Sequence, residues 1–96
     1  MALKIFVTRR AGADIISIRA FLLEREPHAA EKVRLAINRA LVLVARHPHA
    51  GRNRPELEAR SVHVVQYPYT IYYRADDATL SVVHVRDDRR QFPKQL

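Results

Sequence analysis

The chain has no cysteine and only two glycines among its 96 residues. The lack of cysteine excludes disulfide bonds, zinc–thiolate sites and a thiol nucleophile, and it fits a reducing cytosol. Two glycines, Gly12 and Gly51, are too few for a glycine-rich phosphate loop or a dinucleotide-binding fingerprint. The common nucleotide-binding and thiol-dependent functions are therefore excluded.

Long apolar runs are also missing. The N-terminal run from Leu3 to Val7 spans only five residues before Arg9 and Arg10, far short of a signal peptide or a membrane span. We therefore expect a mature cytoplasmic protein that does not associate with membranes. The chain has five histidines, His28, His47, His49, His63 and His84, and they lack the spacing of a metal site. We predict no metal and no cofactor.

Acidic residues are scarce relative to basic ones. Ten Asp and Glu oppose seventeen Lys and Arg, which gives a formal charge of +7. Only Lys4, Lys32 and Lys94 are lysines, so the other fourteen bases are arginines. The planar fork of arginine suits RNA, DNA or an acidic protein partner. A basic surface that only confers solubility would have the same composition, and composition leaves the two readings open.

The pattern of apolar residues predicts one strand and then two helices. Residues 3–7 alternate as a strand does, and Thr8 can cap the helix that follows. Apolar residues then recur at helical spacing, with Ile16 and Leu23 widening the first stripe, until Pro27 ends one helix near Arg25 and begins the next. The second stripe comprises Ala30, Val33, Ile37, Leu41 and Val44 and stops before Pro48.

Three strand-like runs follow a polar loop. The loop covers residues 49–58, and the runs cover residues 62–65, 69–73 and 80–85. The breaks between the runs are short and favour hairpins. We predict one α+β domain over residues 1–96 with the order β-α-α-β-β-β, in which a helix hairpin packs on one face of an antiparallel sheet.

Strand alternation predicts which side chains face away from the helices. Burying Arg74 would be costly, so Thr70 and Tyr72 should share an open face with it. Strict alternation likewise groups Leu80, Val82, His84 and Arg86, and His63 can join that face. A solvated sheet surface with ordinary edge charges is the alternative to a binding surface.

The same face holds residue types that metal-free RNA cleavage requires. That reaction needs a base for the 2′-OH, a cation for the pentacovalent phosphorane and an acid for the leaving oxygen. His63, His84 and Arg89 are the candidates, although a His in a strand more often packs than catalyses. We find no Ser-His-Asp arrangement, and a DNA-recognition helix is disfavoured because the apolar stripe of the second helix is directed to the sheet.

Several short motifs, in order, carry a resemblance to a known family. They are Ala13-Asp14-Ile15, Pro27-x-Ala29-Ala30, His47-Pro48-x-x-Gly51-Arg52-x-Arg54-Pro55-Glu56-Leu57, Tyr69-x-Ile71-Tyr72-Tyr73-Arg74 and His84-Val85-Arg86-x-x-Arg89-Arg90. Over about 80 residues the chain resembles the RelE/ParE toxins of type II toxin–antitoxin pairs. The resemblance implies a compact toxin that forms a hetero-oligomer with an antitoxin, whose partly disordered tail wraps around it.

The family has two modes of action. RelE-like members cleave mRNA on the ribosome with basic residues and a terminal Tyr. At the comparable positions this chain has Ser61 and His63, then Thr70, then Asp88 beside Arg89, then Phe92 or Lys94. ParE-like members lack that catalytic set and poison DNA gyrase. The resemblance therefore favours a ParE-like gyrase inhibitor, with the endonuclease and a non-toxic interaction module as alternatives. The predicted target-binding residues are Arg52, Arg54, Arg74, Arg86, Arg89 and Arg90.

Overall fold

The structure, a computed structural model, describes residues 2–89 and residue 96. The described chain forms β1 (Lys4–Val7), α1 (Arg9–Arg25), α2 (Pro27–Arg46), β2 (Arg52–Arg54), a 3-10 helix (Pro55–Leu57), β3 (Ala59–His63), β4 (Tyr69–Ala75) and β5 (Thr79–Asp87). The two helices pack on one face of the sheet, so the predicted α+β class is confirmed.

The helix boundaries follow from local capping chemistry. Oγ1 of Thr8 accepts a hydrogen bond from the backbone N–H of Ala11 at 3.2 Å, as predicted for the N-cap of α1. Pro27 opens α2, where its missing N–H costs nothing. The predicted apolar stripe of α2, from Ala30 to Val44, is buried throughout, so α2 lies with this face on the sheet.

The outer face of α1 differs from the prediction. Leu22 is buried and Ile15 and Ile18 pack against the core. Ile16 and Leu23, expected to widen that stripe, are instead 71% and 48% exposed. The 100° step of a helix places both side chains on the side of α1 remote from the sheet. The prediction for these two residues was wrong.

The sheet has the strand order β1-β5-β4-β3-β2 and is mixed. The strands from β2 to β5 pair antiparallel, whereas β1 pairs parallel with β5, from Lys4 opposite Thr79 to Val7 opposite Val82. The connection between β1 and β5 is long enough to permit parallel pairing. The expectation of an antiparallel sheet was drawn from the short breaks between later strands, so it does not apply to this pair. The predicted loop over residues 49–58 contains β2 and the 3-10 helix, so it is more ordered than expected.

A β-bulge interrupts the alternation of β5. Tyr73 pairs with Val82 and Tyr72 with His84, so Val83 is an extra residue. Leu80 and Val82 therefore belong to the core under the helices, while His84 pairs with a residue on the opposite side. The prediction that Leu80, Val82, His84 and Arg86 share one face was wrong, because one inserted residue reverses the parity of the positions beyond it.

Apolar residues are buried on both sides of the sheet. The larger cluster lies between sheet and helices and includes Ile71, Tyr73, Val82 and Val85. On the other side, which we call the open face, a smaller cluster joins Leu57, Ala59, Tyr72 and Val83, against which Leu96 packs. Within the described chain, no helix is long and apolar enough to cross a lipid bilayer.

Candidate functional site

Two rows of paired residues cross the open face. One row joins His63 of β3, Thr70 of β4 and Arg86 of β5. The next row, one pleat away, joins Arg52, Ser61, Tyr72 and His84. Paired residues point to the same side of a sheet, so the strand register brings both predicted histidines and two predicted arginines to one surface.

Asp88 lies at the end of the first row and receives several donors. Its carboxylate accepts a hydrogen bond from Oγ1 of Thr70 at 2.6 Å and lies 3.3 Å from a terminal nitrogen of Arg86. Nδ1 of His63 is 3.1 Å from the second carboxylate oxygen. The backbone N–H of Asp88 donates to the carbonyl of Pro68 at 2.7 Å, which fixes the backbone where the chain leaves β5. His63 is therefore oriented through Nδ1, and its side chain is 61% exposed.

His84 is held by a different carboxylate. Its Nδ1 is 2.7 Å from Oδ2 of Asp14 in α1, and the same oxygen accepts the backbone N–H of Val85 at 3.0 Å. The imidazole also stacks on Tyr72, with ring centroids 5.7 Å apart and planes 22° from parallel. His84 is only 12% exposed, so it supports the edge of β5 and presents little surface to a partner.

The predicted target-binding arginines on β2 and β4 differ in their own contacts. Nε of Arg54 lies 2.9 Å from Oε1 of Glu56. Arg74 donates to the carbonyl oxygens of Glu58 at 2.8 Å and Leu57 at 3.1 Å, and so ties the 3-10 helix to β4. Arg52 is exposed and forms no hydrogen bond or ion pair with the described residues. Of these three, only Arg52 makes no hydrogen bond or ion pair with the described residues, and its positive charge helps to lower the pKa of Glu56.

Arg89 lies apart from the open face. Its guanidinium makes two hydrogen bonds to the carboxylate of Asp87, at 2.9 and 2.8 Å, and these raise the pKa of Arg89. Asp87 pairs with Tyr69, which belongs to the core under the helices, and Arg89 lines a cleft with Phe21 of α1. The structure thus separates Arg89 from the other predicted arginines. Arg90, the sixth of them, falls outside the described residues.

Tyr73 supports the loop that carries Arg52. Its hydroxyl donates to the carbonyl of Pro48 at 2.8 Å and accepts the N–H of Gly51 at 3.0 Å. Burial raises the pKa of Tyr73, which keeps the hydroxyl protonated and able to donate. Arg60 donates to the carbonyl of Gly51 at 2.9 Å. The backbone at the start of β2 is therefore held in place by the buried hydroxyl of Tyr73 and by the guanidinium of Arg60.

The three residues predicted for RNA cleavage form separate contacts. His63 faces Asp88, His84 faces Asp14, and Arg89 faces Asp87. The first two lie in different rows of the open face, and Arg89 lies toward the helices. In residues 2–89, no cluster of His, Asp and Glu has the size and geometry to hold a metal ion.

Sequence reasoning assigned no role to Asp14 or to Asp88. Asp14 is the single carboxylate in the first half of α1, where its neighbours are apolar or basic, and that isolation is a signal for a structural contact. Asp88 has no comparable signal, because its partners His63, Thr70 and Arg86 come from three strands whose register the sequence does not reveal.

Comparison with known proteins assigns the chain to a family. The family model described as ParE toxin of type II toxin-antitoxin system, parDE, matches residues 5–92. The chain belongs to the ParE toxin family. It is thus a member of the toxins of type II systems, and the predicted relationship to ParE-like proteins is confirmed. The match includes both helices and all five strands except the first residue of β1.

Solved structures give the same fold. A chain from the structure "Chromosomal ParDE TA system from P. aeruginosa" superposes with a TM-score of 0.76 and 19% sequence identity. The alignment covers 90% of this ParE-family chain and 96% of that one. At this identity the likeness concerns the fold alone. No curated protein sequence gives a significant match.

Proposed function

We propose that this ParE-family toxin binds DNA gyrase and so blocks replication, and that a cognate antitoxin neutralises it by forming a hetero-oligomer with it. Under this proposal the toxin acts by binding, and no bond is made or broken by its side chains. The ribosome and mRNA are the targets in the competing reading.

The observation that carries the proposal is the contrast between Arg52 and the nuclease candidates. Arg52 is exposed on the open face and makes no hydrogen bond or ion pair with the described residues. His63, His84 and Arg89 are each engaged by a separate carboxylate. A base, an acid and a phosphate-binding cation must converge within hydrogen-bond reach of one substrate phosphate. The geometry favours recognition by a basic surface over catalysis.

Charge supports an acidic partner for the same surface. The chain has a formal charge of +7. Arg52, Arg54, Arg74 and Arg86 occupy the open face, and surfaces with such a field accelerate encounter with oppositely charged partners. An acidic segment of the antitoxin would therefore mask the surface that the toxin uses against its target.

Induction of the toxin without its antitoxin tests the target. Incorporation of labelled thymidine and methionine is measured at short intervals, and supercoiling by purified gyrase is assayed with the purified chain. We expect thymidine incorporation to fall first and supercoiling to be inhibited. Arg52→Glu should lose most of both effects, while Arg39→Glu, an exposed arginine of α2 with no hydrogen bond or ion pair among the described residues, should retain them.

Other outcomes exclude the proposal. An early fall in methionine incorporation would identify translation as the target. Unchanged incorporation of both labels would indicate a non-toxic interaction module. Full toxicity of Arg52→Glu would show that the open face does not contact the target.

One arrangement favours the endonuclease as a second candidate function. Asp88 orients His63 through Nδ1, as carboxylates do for catalytic histidines, and the imidazole is largely exposed. If this pair acts as a general base on ribosome-bound mRNA, His63→Ala should abolish toxicity and leave mRNA intact. Under the gyrase proposal, mRNA is intact in cells that express the unaltered toxin.

A further inference from the structure

A cavity of about 400 Å³ lies beside β2, at the end of the sheet where β3 begins and β4 ends. Asn53 of β2 and Arg60 of β3 line it and form a cross-strand pair. Arg60 also pairs with Tyr73 of the core, so both side chains point away from the open face. His49, in the loop after α2, and Arg74, near the end of β4, border the same cavity.

Arg60 is anchored in a way that leaves one edge of its guanidinium unoccupied. Nη1 donates to the carbonyl oxygen of Gly51 at 2.9 Å and lies 3.5 Å from that of His49. Nε and Nη2 form no hydrogen bond with the described residues, and both are accessible to solvent. These two nitrogens carry the parallel N–H groups with which a guanidinium binds a phosphate or a carboxylate. Main-chain contacts thus fix the plane of the guanidinium and leave its fork open.

Two other arginines of the chain show what this edge binds. Nε and Nη2 of Arg34 bind the carboxylate of Glu31, and the same nitrogens of Arg89 bind that of Asp87. Arg60 forms no ion pair with the described residues. A carbonyl oxygen has no net charge, so the positive charge of Arg60 is not compensated within the described chain. A fixed, uncompensated guanidinium in a recess favours an external oxyanion.

The rest of the lining supplies a further donor and further charge. The side-chain amide of exposed Asn53 makes no hydrogen bond with the described residues, so its N–H groups are available. Arg74 adds positive charge, although its fork is committed to the carbonyl oxygens of Leu57 and Glu58. Glu58 is the one acidic residue among the described residues of the lining, and its carboxylate forms no ion pair with them. Two arginines against one glutamate leave the lining with a net positive charge.

The position of the cavity at a sheet edge favours the backbone of DNA as the ligand. β2 is the outermost strand of the sheet and is three residues long. Arg52 lies on its open-face side, and Asn53 with Arg60 lies on the other side, so donors are present on both sides of one edge. A DNA strand carries evenly spaced phosphates and can contact both sides, with Arg and Asn side chains as donors. An isolated anion would engage one side only.

We infer that this cavity binds a backbone phosphate of the DNA on which the target acts, through Nε and Nη2 of Arg60 and the amide of Asn53. The inference rests on the proposed function, because gyrase brings the DNA to the toxin. It adds that the toxin contacts nucleic acid as well as protein. Phosphate contacts carry no sequence information, so binding should be independent of DNA sequence.

The anisotropy of a short fluorescent DNA duplex, titrated with the full-length chain at low and at high salt, tests the site. Asn53→Glu places a carboxylate beside Arg60 and removes no side-chain hydrogen bond of the described chain. It should weaken binding at low salt by at least about tenfold, and the slope of log K against log salt should fall by about 0.9 for the lost phosphate contact.

Asn38→Glu is the matched control. Asn38 is an exposed residue of α2 whose side chain makes no hydrogen bond with the described residues, and the substitution changes the formal charge by the same amount. Because salt screens a charge that lies away from the bound DNA, this variant should change the affinity less than about twofold.

Two further measurements do not depend on the folding of a weakened variant. In nuclear magnetic resonance spectra of the unaltered chain, DNA should shift the side-chain amide signals of Asn53 and leave those of Asn38 in place. Glu58→Gln removes the acidic side chain of the cavity and should strengthen binding about two- to threefold at low salt, a gain that a misfolded chain cannot show.

Gyrase assays separate this inference from the proposed function. Asn53→Glu should bind gyrase in the absence of DNA as tightly as the unaltered chain does, yet inhibit supercoiling at least about tenfold less strongly. Absence of gyrase inhibition by the unaltered chain would refute the proposed function, while the DNA titration would still test the cavity.

Several results would overturn the inference. One is equal affinity of Asn53→Glu and the unaltered chain for DNA, and another is an equal loss in Asn38→Glu. Asn53 signals that stay in place at saturating DNA would locate the contact elsewhere. Tighter binding of a polyglutamate peptide than of DNA, sensitive to Asn53→Glu, would assign the cavity to protein carboxylates. Tighter binding of RNA of the same length, with the same sensitivity, would assign it to RNA.

Discussion

Asp14 and His84 are 70 positions apart in the sequence, yet Oδ2 of Asp14 lies 2.7 Å from Nδ1 of His84. The same oxygen accepts the backbone N–H of Val85 at 3.0 Å. β1 covers β5 only as far as Val82. Asp14 therefore satisfies the edge of β5 at the point where β1 ends, and it attaches α1 to the sheet by a polar contact as well as by apolar packing.

Removal of this carboxylate should destabilise the fold. Asp14→Ala leaves the N–H of Val85 and the ring of His84 without their acceptor in a partly buried site, and we expect the free energy of unfolding to fall by about 1–3 kcal/mol. Urea unfolding followed by circular dichroism measures the change. Asp77→Ala is the control, because Asp77 is exposed and accepts no hydrogen bond from the described residues; its effect should stay within about 0.5 kcal/mol. Equal stability of the two variants would contradict this role for Asp14.

The two glycines should respond to alanine in opposite directions. A Cβ on Gly51 would overlap the hydroxyl and ring of buried Tyr73, whereas a Cβ on Gly12 would meet only Val7 at 3.9 Å. Gly51→Ala should therefore lower the free energy of unfolding by about 1–3 kcal/mol through overpacking. Gly12→Ala should raise it by about 0.5–1 kcal/mol, because Gly12 lies inside α1. Thermal unfolding of both variants distinguishes these effects, and a neutral Gly51→Ala would show that the Tyr73 contact relaxes freely.

The apolar periodicity and the capping residues predicted the helices well. The stripe of α2, the cap at Thr8 and the break at Pro27 depend on neighbours within a few residues, which the sequence displays directly. The residues of β5 that lie on the open face were harder to predict. The alternation of side chains along β5 shifts at the extra residue Val83, and no feature of the sequence marks that position. Ile16 and Leu23 show a further limit of prediction from sequence. An apolar residue on a helix indicates a hydrophobic surface, but the sequence does not show whether the rest of the fold buries that surface.

The turn between β4 and β5 should make stability depend on acidity. The carboxylate of Asp76 accepts the N–H groups of Ala78 at 2.8 Å and Thr79 at 2.7 Å, and these hydrogen bonds lower the pKa of Asp76. A carboxyl whose pKa is lower in the folded state stabilises the fold fully above its ordinary pKa and loses that contribution as pH falls through the lowered value.

The comparison of the unaltered chain with Asp76→Ala isolates this effect. The difference in unfolding free energy should be constant above about pH 5 and should shrink below it. Guanidinium unfolding at a series of pH values measures it. A difference that grows on acidification would show that the turn does not hold the charged form of Asp76. Asp77→Ala, which removes the adjacent carboxylate without these contacts, should lose less stability at neutral pH.

Arg74 and Arg52 lie on the same open face, but their contacts predict different consequences of substitution. The fork of Arg74 is committed to the carbonyl oxygens of Glu58 and Leu57, so Arg74→Ala should lower the free energy of unfolding by about 0.5–1.5 kcal/mol. Arg74→Lys should recover part of that loss, because a single ammonium cannot reproduce both directions of the fork. Arg52→Ala should leave stability within about 0.5 kcal/mol and should instead reduce toxicity, since the side chain has no hydrogen bond or ion pair within the described chain.

Paired measurements separate the two roles. Unfolding by urea and growth arrest after induction are recorded for each variant at matched expression levels. Arg74→Ala should lose stability, and its toxicity should return when expression is raised to restore the amount of folded protein, whereas Arg52→Ala should stay weakly toxic at any expression level. If instead Arg74→Ala is fully stable and non-toxic, its guanidinium must leave the two carbonyls to contact the target. In that case the surface that binds the target would include the 3-10 helix beside β4.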